Sequence, residues 1–399
     1  MTGAGLRDEA AALGAELTDL RRSIHAEPEV GLDLPATQRK VVEALHALPV
    51  DMSLGRQLSS VTAVLRGGKP GPVVLLRADM DALPLTERAR VPYASGVPGA
   101  MHACGHDLHT AMLAGAARLL SAHQDELPGT VVFMFQPGEE GQGGARTMIE
   151  EGVLDAAGSR PVAAYALHVA SALLPLGLVA SRPGTLMAAA DTLHVTVHGR
   201  GGHGSQPHHA ADPVPAACEI VLALQTMVTR QFDVFDPVVI TVGTFHAGTV
   251  DNVIPDDAEF RATVRSFSPA ARAAVQAAAP RLVRDIATAH GLTASAQYQD
   301  GYPVTVNNDA ELSNAEQAIG DVLGAGRFIP LPNAIPGSED FSYVLDQVPG
   351  AFLMLGATPP DADPVTAPFN HSSEAVFDDA VLPDGAALYA GLALHRLSR

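Results

Sequence analysis

The sequence is poor in several residue types, and each shortage excludes a class of protein. Tryptophan is absent and aromatic residues make up only 5% of the 399 residues, so we expect a core of small aliphatic side chains. The only two cysteines, Cys104 and Cys218, exclude a disulfide-rich secreted domain. Because 25 basic residues stand against 44 acidic ones, with a net charge of −19, a nucleic-acid-binding protein is disfavoured.

The chain also lacks any run of about 18 apolar residues, so no transmembrane helix is predicted. Its N-terminal segment is charged and amphipathic, without the apolar core that secretion signals contain. The histidines around Cys104 favour a metal-binding thiolate over a disulfide, and a retained thiolate suits a reducing compartment. We therefore expect a soluble cytoplasmic protein that binds neither nucleic acid nor membrane.

Apolar runs that stop abruptly at polar residues predict a buried parallel sheet. Four such runs begin at Pro72, Thr130, Val162 and Ala351. Runs without alternation are typical of strands covered on both faces, as in parallel sheets between layers of helices. Helical patterns occupy residues 5–25, 35–48, 108–124, 309–323 and 379–396. The sequence therefore predicts an α/β catalytic domain with a mostly parallel sheet flanked by helices.

A different pattern, from residue 183 to residue 299, predicts an inserted domain. Alternating residues from Asp191 indicate a half-exposed strand, and the elements predicted after it are helix, strand, strand, helix and strand. This βαββαβ order is the ferredoxin-like arrangement. Glycine and proline near both ends mark the boundaries, so residues 1–182 and 300–399 are predicted to form the catalytic domain.

The segment 101–109, Met-His-Ala-Cys-Gly-His-Asp-Leu-His, carries the strongest signal of chemistry. Gly105 lets the backbone bend so that Cys104 and His106 converge, and Asp107 is predicted to be the N-cap of the following helix. Imidazole and thiolate suit Zn²⁺, Co²⁺, Ni²⁺ or Mn²⁺ better than Ca²⁺. The alternative is a histidine-rich helix start without a metal, but further donors elsewhere favour the metal site.

Several of these donors follow predicted strands, at the edge where parallel sheets form ligand sites. They are Asp79, Asp81, Glu139, Glu140 and His168. Glu139 and Glu140 lie in a glycine-bounded turn, so one can bind a metal while the other moves a proton. Asp79 and Asp81 could be ligands or could orient a ligand histidine. For His168 the alternative is a hydrogen-bonded histidine of the core.

The remaining candidates lie in loops and in the inserted domain. His371 follows a proline-rich loop, and its alternative is an exposed loop histidine. The glycine-rich segment 199–209 lacks the lysine and spacing of a phosphate-binding loop, so a mobile loop that presents His203 is favoured. Asn252 and Arg265 are weaker candidates, since alone they would indicate a turn and a surface charge.

Together these residues resemble the M20 family of metallopeptidases and amidohydrolases. Within it, the resemblance is to hippurate hydrolases, auxin-conjugate hydrolases and N-acyl-amino-acid amidohydrolases. The wider family's His-x-Asp is replaced by Asp79-Met-Asp81, with Cys104 and His106 as ligands, which is the pattern of this subfamily. The matching segments cover nearly the whole chain in order and are residues 77–84, 101–109, 136–140, 167–168, 202–207, 252–255, 337–341 and 370–372.

The resemblance implies a site for two divalent metal ions, with zinc, manganese, cobalt and nickel all compatible. The implied ligands are Cys104, His106, Glu140, His168 and His371, with Asp79 and Asp81 in contact with ligands. Glu139 would be the general base toward a metal-activated water, and His203 would stabilise the oxyanion, often across a homodimer. Asn252 and Arg265 would bind a substrate carboxylate, and the inserted domain would act as lid and dimerisation domain.

The predicted function is a metal-dependent amidohydrolase. It would cleave the amide bond of an N-acyl or N-aroyl amino acid and release a carboxylic acid and a free amino acid. One alternative is a dipeptidase or carboxypeptidase of the same family. The other is a non-catalytic, metal-dependent binding protein on the same scaffold.

Overall fold

The computed structural model describes residues 3–399 of the chain. In chain order the strands are β1 Asp51–Leu54, β2 Val61–Arg66, β3 Lys69–Asp79, β4 Pro128–Gln136, β5 Ala163–Pro175, β6 Val179–Ser181, β7 Gly184–Met187, β8 Ala189–His198, β9 Gly202–His203, β10 Val238–Ala247, β11 Val253–Ile254, β12 Asp257–Ser266, β13 Thr293–Tyr302, β14 Thr305–Asn307, β15 Phe328–Pro330 and β16 Gly350–Thr358. The α-helices are α1 Gly3–Ala12, α2 Gly14–Ala26, α3 Pro35–Leu45, α4 His106–Ala122, α5 Gly144–Glu150, α6 Pro213–Gln231, α7 Pro269–Ala289, α8 Asp309–Leu323, α9 Ser342–Leu345 and α10 Val381–Leu397. Within the described residues, no helix is both long and apolar enough to cross a membrane.

The chain divides into two compact units. The larger runs up to Leu186 and continues as Val306–Asn333 and Asp340–Arg399, whereas the smaller consists of Met187–Thr305 and Ala334–Glu339. The last segment is distant in sequence from the rest of the smaller unit. Hydrogen bonds join this segment to the rest of the smaller unit, since the Ala188 N–H lies 3.1 and 3.0 Å from the carbonyl oxygens of residues 335 and 337.

A mixed sheet forms the centre of the larger unit. Within residues 3–399 it has eight strands in the order β1-β2-β4-β3-β5-β16-β6-β15. The central strands β4, β3, β5 and β16 are parallel, as are β6 and β15. The pairs β1–β2, β2–β4 and β6–β16 are antiparallel. The predicted α/β class, with a mainly parallel sheet flanked by helices, is confirmed.

The central strands are buried on both faces, which explains why their sequences are continuous apolar runs. Phe133, Tyr165 and Phe352, for example, are fully buried. Helices α4 and α10 pack against each other and against β3 and β5. Their approach is close at Gly385, where a Cβ atom would lie only 1.9 Å from Sδ of Met112. This packing holds the start of α4 beside the carboxyl ends of the central strands.

The smaller unit has the predicted ferredoxin-like order β8, α6, β10, β12, α7, β13. Its antiparallel sheet has the strand order β10-β12-β8-β13. Along β8, Leu193, Val195 and Val197 are buried and alternate with half-buried polar residues, as the alternating sequence predicts. Helix α6 begins at Pro213, and the Asp212 side chain caps it by accepting the Val214 N–H at 3.0 Å.

Two local predictions are wrong. The pattern over residues 5–25 predicts one helix, but α1 ends at Ala12 and α2 begins at Gly14, a residue with poor helix propensity. His168 was expected at the end of a strand, but β5 continues to Pro175 and places His168 in its interior. Five of the six residues between His168 and Pro175 are apolar, so the apolar run continues through the histidine as the strand does.

Candidate metal centre

Cys104 and His106 flank Gly105, the N-cap residue of α4. Gly105 has φ +87°, and a Cβ atom there would lie 2.3 Å from Cγ2 of Val169, so both conformation and space require glycine. His106 is the first residue of the helix and is fully buried, and Cys104 is buried as well. The bend therefore directs a thiol and an imidazole into the interior at the start of α4.

The prediction that Asp107 is the N-cap of this helix is wrong, because Gly105 occupies that position and no side chain caps the helix. Asp107 lies in the first turn, fully buried, and accepts hydrogen bonds from Nε of Arg21 and Nδ1 of His25, each at 2.7 Å. Burial opposes the charge on Asp107, but Arg21 and His25 hold its pKa below the usual value. Burial likewise opposes protonation of His25, but Asp107 and Glu87 raise the pKa of His25 to about 9.

Glu139 and Glu140 follow β4 and are positioned by Asp81. The Asp81 carboxylate accepts the backbone N–H of Glu139 at 2.9 Å and that of Glu140 at 3.0 Å. Asp81 is buried, and its Oδ1 also lies 3.5 Å from Nδ1 of His106. One carboxylate thus orients both glutamates and faces a third candidate, His106.

Two further histidines approach the Cys104 thiol from different parts of the chain. Nε2 of His168 and Nε2 of His371 each lie 3.3 Å from Sγ of Cys104. The His168 ring donates from Nδ1 to the Val169 carbonyl at 2.9 Å, which leaves Nε2 as the ligand atom. His371 also lies 3.1 Å from Oε1 of Glu140.

The donor atoms form overlapping groups, within each of which all atoms lie within 4.8 Å of one another. Three of these groups contain implied ligands in two or more positions, and they are Cys104, His106 and His168, then Cys104, Glu140 and His371, and then His106, Glu139 and Glu140. Cys104, His106 and Glu140 each belong to two of these three groups. The five ligands that the resemblance implies, together with Glu139, therefore meet in one cluster of the larger unit.

The cluster fits a metal. His106 is fully buried, yet within the described residues neither of its ring nitrogens has a hydrogen-bond partner. Leaving such groups unpaired in the interior is costly, and coordination would satisfy one of them. A thiolate, imidazoles and a carboxylate are also the donors that borderline divalent metals prefer.

Protonation of the cluster depends on its mutual contacts. Burial and the neighbouring Glu140 carboxylate raise the pKa of the Cys104 thiol, whereas contacts with Cys104 and Glu140 raise the pKa of His371 to about 10. Burial and the nearby His109 hold the pKa of His168 well below its usual value. A divalent cation deprotonates a coordinating thiol, so binding a metal would replace protons at this site.

Asp79 and His109 lie next to the cluster and form hydrogen bonds around it. His109 Nε2 accepts the Val169 backbone N–H at 2.8 Å, so the ring proton lies on Nδ1, which donates to Asp79 at 2.5 Å. Both nitrogens of His109 are thereby engaged, and His109 is not available as a ligand. Asp79 also accepts from Arg77 at 2.7 Å and lies 3.7 Å from Nε2 of His106.

Sequence reasoning did not single out several residues that hold this arrangement. The fully buried Arg77 donates to Asp340 at 2.9 Å, and Gln136 donates to both oxygens of Asp340. Asn370 hydrogen-bonds to the backbone of Cys104 and of Val169. Asp340 and Asn370 lie in segments that carried the family resemblance, which was the available signal for them.

The smaller unit contains the other three candidates. His203 lies in β9, where it pairs with Val253 of β11. It is therefore close to Asn252, and the Asn252 carbonyl accepts the N–H of residue 204 at 2.8 Å. The exposed His203 ring accepts from the Ser205 hydroxyl at 2.9 Å. Arg265 lies on β12, separate from this ribbon, and its half-buried guanidinium has an Nη1 atom without a hydrogen-bond partner among the described residues.

Comparison with known proteins identifies the family. Residues 75–395 match the model of peptidase family M20/M25/M40. The chain belongs to this family. The resemblance seen in the sequence is confirmed, and the chain is a metal-dependent M20 hydrolase that acts on amide bonds, on a small amide or peptide substrate.

Individual M20 relatives differ in what their names say they act on. The chain is 39% identical to thermostable carboxypeptidase 2 of Saccharolobus solfataricus over 95% of this chain and 94% of that protein. It is 36% identical to the IAA-amino acid hydrolase ILR1-like 4 of Arabidopsis thaliana over 96% of this chain and 86% of that protein. Among solved structures it is similar to Bacillus subtilis YxeP, described as a dinuclear metal-binding peptidase of the M20 family, with 32% identity, a TM-score of 0.83 and coverage of 97% and 99%.

Proposed function

We propose that the protein hydrolyses N-acyl or N-aroyl amino acids to a carboxylic acid and a free amino acid. The observation that carries the proposal is the grouping of the buried Glu139 with His106 and Glu140, which puts a candidate base beside candidate ligands. The relative named as an IAA-amino acid hydrolase supports the acyl-amino-acid substrate. A carboxypeptidase is the second candidate, since a relative with that name is 39% identical.

Two divalent metal ions are part of the proposal, as in the dinuclear YxeP structure. Cys104, His106, Glu140, His168 and His371 would hold them. When bound, such ions polarise the scissile carbonyl and lower the pKa of water. Because Cys104 must stay reduced to act as a ligand, the proposal fits a reducing compartment such as the cytoplasm.

Glu139 would act as the general base and then the general acid. Its backbone N–H is bound by the Asp81 carboxylate, which limits the directions that the side chain can take. Glu139 would accept a proton from the attacking water and deliver it to the amide nitrogen as the carbon–nitrogen bond breaks. The leaving amino acid then departs as a neutral amine.

Arg265 and Asn252 are the proposed groups for the substrate carboxylate. The half-buried Arg265 guanidinium keeps one nitrogen without a hydrogen bond within the described chain, so that it can still donate to an anion. A planar guanidinium binds carboxylates well through two parallel hydrogen bonds. An N-acyl amino acid and the C-terminal residue of a peptide both present such a carboxylate, so these residues do not by themselves distinguish the two candidate functions.

His203 would stabilise the oxyanion, and the smaller unit would form a homodimer and act as lid. Support for the dimer comes from β10, an edge strand of its sheet that exposes Val239 (45%) and Phe245 (38%). Exposed apolar edge strands are templates for pairing with another chain. Light scattering should then give twice the chain mass of 41.3 kDa, and a lysine at Val239 should shift the protein toward the monomer.

The test of the function is a substrate panel. Protein stripped with a chelator is assayed on acetyl-, benzoyl- and indoleacetyl-amino acids and on dipeptides, before and after each candidate metal is restored. Metal-restored cleavage of the acylated amino acids is the expected result. Cleavage of dipeptides alone would favour the peptidase, and bound metal without any turnover would favour a binding protein.

Replacement of the base provides the matched control. Glu139→Gln should lower kcat by roughly 10²–10⁴-fold while metal stays bound, because the change removes a base and no ligand. Glu150→Gln, the same change at the exposed end of α5, should leave kcat and metal binding unaffected. Loss of metal in the Glu139 variant would reverse the roles assigned to Glu139 and Glu140.

A further inference from the structure

Asn370 joins three segments of the larger unit through every hydrogen-bonding group of its side-chain amide. Its Nδ2 donates to the carbonyl oxygen of Cys104 at 3.2 Å and to that of Val169 at 2.9 Å. Its Oδ1 accepts the N–H of Ser171 at 2.9 Å and the Ser171 hydroxyl at 3.1 Å. A fully satisfied amide of this kind fixes the relative positions of the chains that it connects.

Each connected segment carries a proposed metal ligand. Cys104 is itself a ligand, Val169 follows the ligand His168 in β5, and Asn370 precedes the ligand His371. The His371 backbone N–H adds a bond of 2.9 Å to the carbonyl of the residue before Cys104. The amide of Asn370 therefore lies where the spacing among three ligands is set.

His371 depends on such external bonds more than the other ligands do. The segment between β16 and α10 that carries it contains no helix or strand, and the His371 side chain is 54% exposed. His371 has φ +72°, a left-handed conformation that is unfavourable for a residue other than glycine. Cys104 and His168, by contrast, are held by the start of α4 and by the central strand β5.

We propose that Asn370 is a positioning residue that holds His371 against Cys104 and so determines the affinity of one of the two metal positions. This inference rests on the two-metal site of the proposed function. Loss of the Asn370 amide should weaken the metal position that needs His371. The other position, served by ligands on α4 and β5, should keep its affinity.

The test is a cobalt titration of the metal-free protein, followed by absorption spectroscopy. Wild type should bind two equivalents. Asn370→Ala should bind one equivalent with wild-type affinity and the second roughly 10- to 100-fold more weakly, the usual effect of losing a group that orients a ligand. The thiolate-to-cobalt absorption band should persist in this variant, because Cys104 also groups with His106 and His168, which would hold the retained ion.

A second substitution and a control separate positioning from loss of stability. Asn370→Asp keeps the acceptor for Ser171 but loses both donors, so it should reproduce the selective loss with little change in side-chain volume. Asn308→Ala removes the N-cap of α8, which accepts from the N–H groups of residues 310 and 311, and touches no ligand segment. It should lower the melting temperature of the metal-free protein without changing either cobalt affinity.

Four results would overturn the inference. Unchanged binding of both equivalents by the two Asn370 variants would remove the role of Asn370 while leaving the two-metal site intact. Equal weakening of both positions, or the same weakening in Asn308→Ala, would reduce the effect to general destabilisation. Failure of wild type to bind two equivalents would overturn the two-metal site itself, and the inference with it.

Discussion

Replacing Asp81 by asparagine should disturb metal binding and catalysis together, because a single buried carboxylate holds the backbone of Glu139 and of Glu140. Asparagine has nearly the same shape but only one acceptor oxygen. One of the two backbone N–H groups, now bound at 2.9 and 3.0 Å, would lose its partner and would face an amide donor instead. The substitution therefore disturbs the position of these two glutamates, and it also removes a negative charge 3.5 Å from Nδ1 of His106.

The expected magnitude follows from the bonds lost. A hydrogen bond to a charged group contributes about 1.5–3 kcal/mol, and an unpaired buried donor adds to the cost, so about 2–3 kcal/mol is at stake. If this free energy serves to position Glu140 for metal binding, its loss should lower the metal affinity by roughly 30- to 150-fold. At saturating metal, kcat should still be reduced, since Glu139 is displaced as well.

Competition with a chromophoric chelator measures the affinity, and a metal-saturated assay measures kcat. Glu151→Gln is the matched control, because Glu151 also accepts two consecutive backbone N–H groups, those of Arg56 and Gln57, but at a site that carries no ligand. Wild-type metal affinity and kcat in Asp81→Asn would refute the reasoning, even if the variant were less stable.

Three further predictions concern other parts of the molecule. Below about pH 6.5 a protonated His25 stabilises the fold through Asp107, and this contribution is lost as pH rises through about 9. The difference in unfolding free energy between wild type and His25→Gln should therefore shrink by about 3 kcal/mol over that range, and a constant difference would contradict it. Asp340→Ala removes an acceptor from a buried guanidinium and should cost about 3 kcal/mol in chemical denaturation, whereas a cost below 1 kcal/mol would refute the buried ion pair. If His203 acts across the homodimer, mixing inactive Glu139→Ala and His203→Ala proteins should restore about a quarter of the wild-type activity. No recovery would mean that His203 serves the active site of its own subunit.

The predictions that succeeded relied on local patterns. Helix α8 begins and ends where the 3.6-residue pattern predicts, helped by Asn308, whose side chain caps its first turn. The order of elements in the smaller unit followed from alternation along β8 and from the helical patterns of α6 and α7. In each case the signal lies within about 20 residues and reflects burial of one face of a single element.

The features that the sequence analysis missed or predicted wrongly depend on other parts of the fold. Strand β1, Asp-Met-Ser-Leu, alternates polar and apolar residues over only four exposed positions, which is too short to predict a strand without its pairing with β2. Asp107 lies at the start of a helix, where an N-cap residue is expected, but its side chain instead forms a buried ion pair with Arg21 of α2. Neither interaction leaves a trace in the neighbouring sequence.

The sequence by itself determined which donors exist and how adjacent donors are arranged. Cys104-Gly-His106 and Glu139-Glu140 are local units whose geometry depends on one bend each, and together with the other motifs they indicated the family. Only the tertiary structure brings His371 to within 3.3 Å of a thiol 267 residues earlier in the chain. It also engages both nitrogens of His109 in hydrogen bonds, so this histidine of the 101–109 segment has no free ligand atom. The reason is physical: the dihedral angles of a few residues set short-range geometry, whereas convergence of distant segments depends on how the whole sheet and its helices pack.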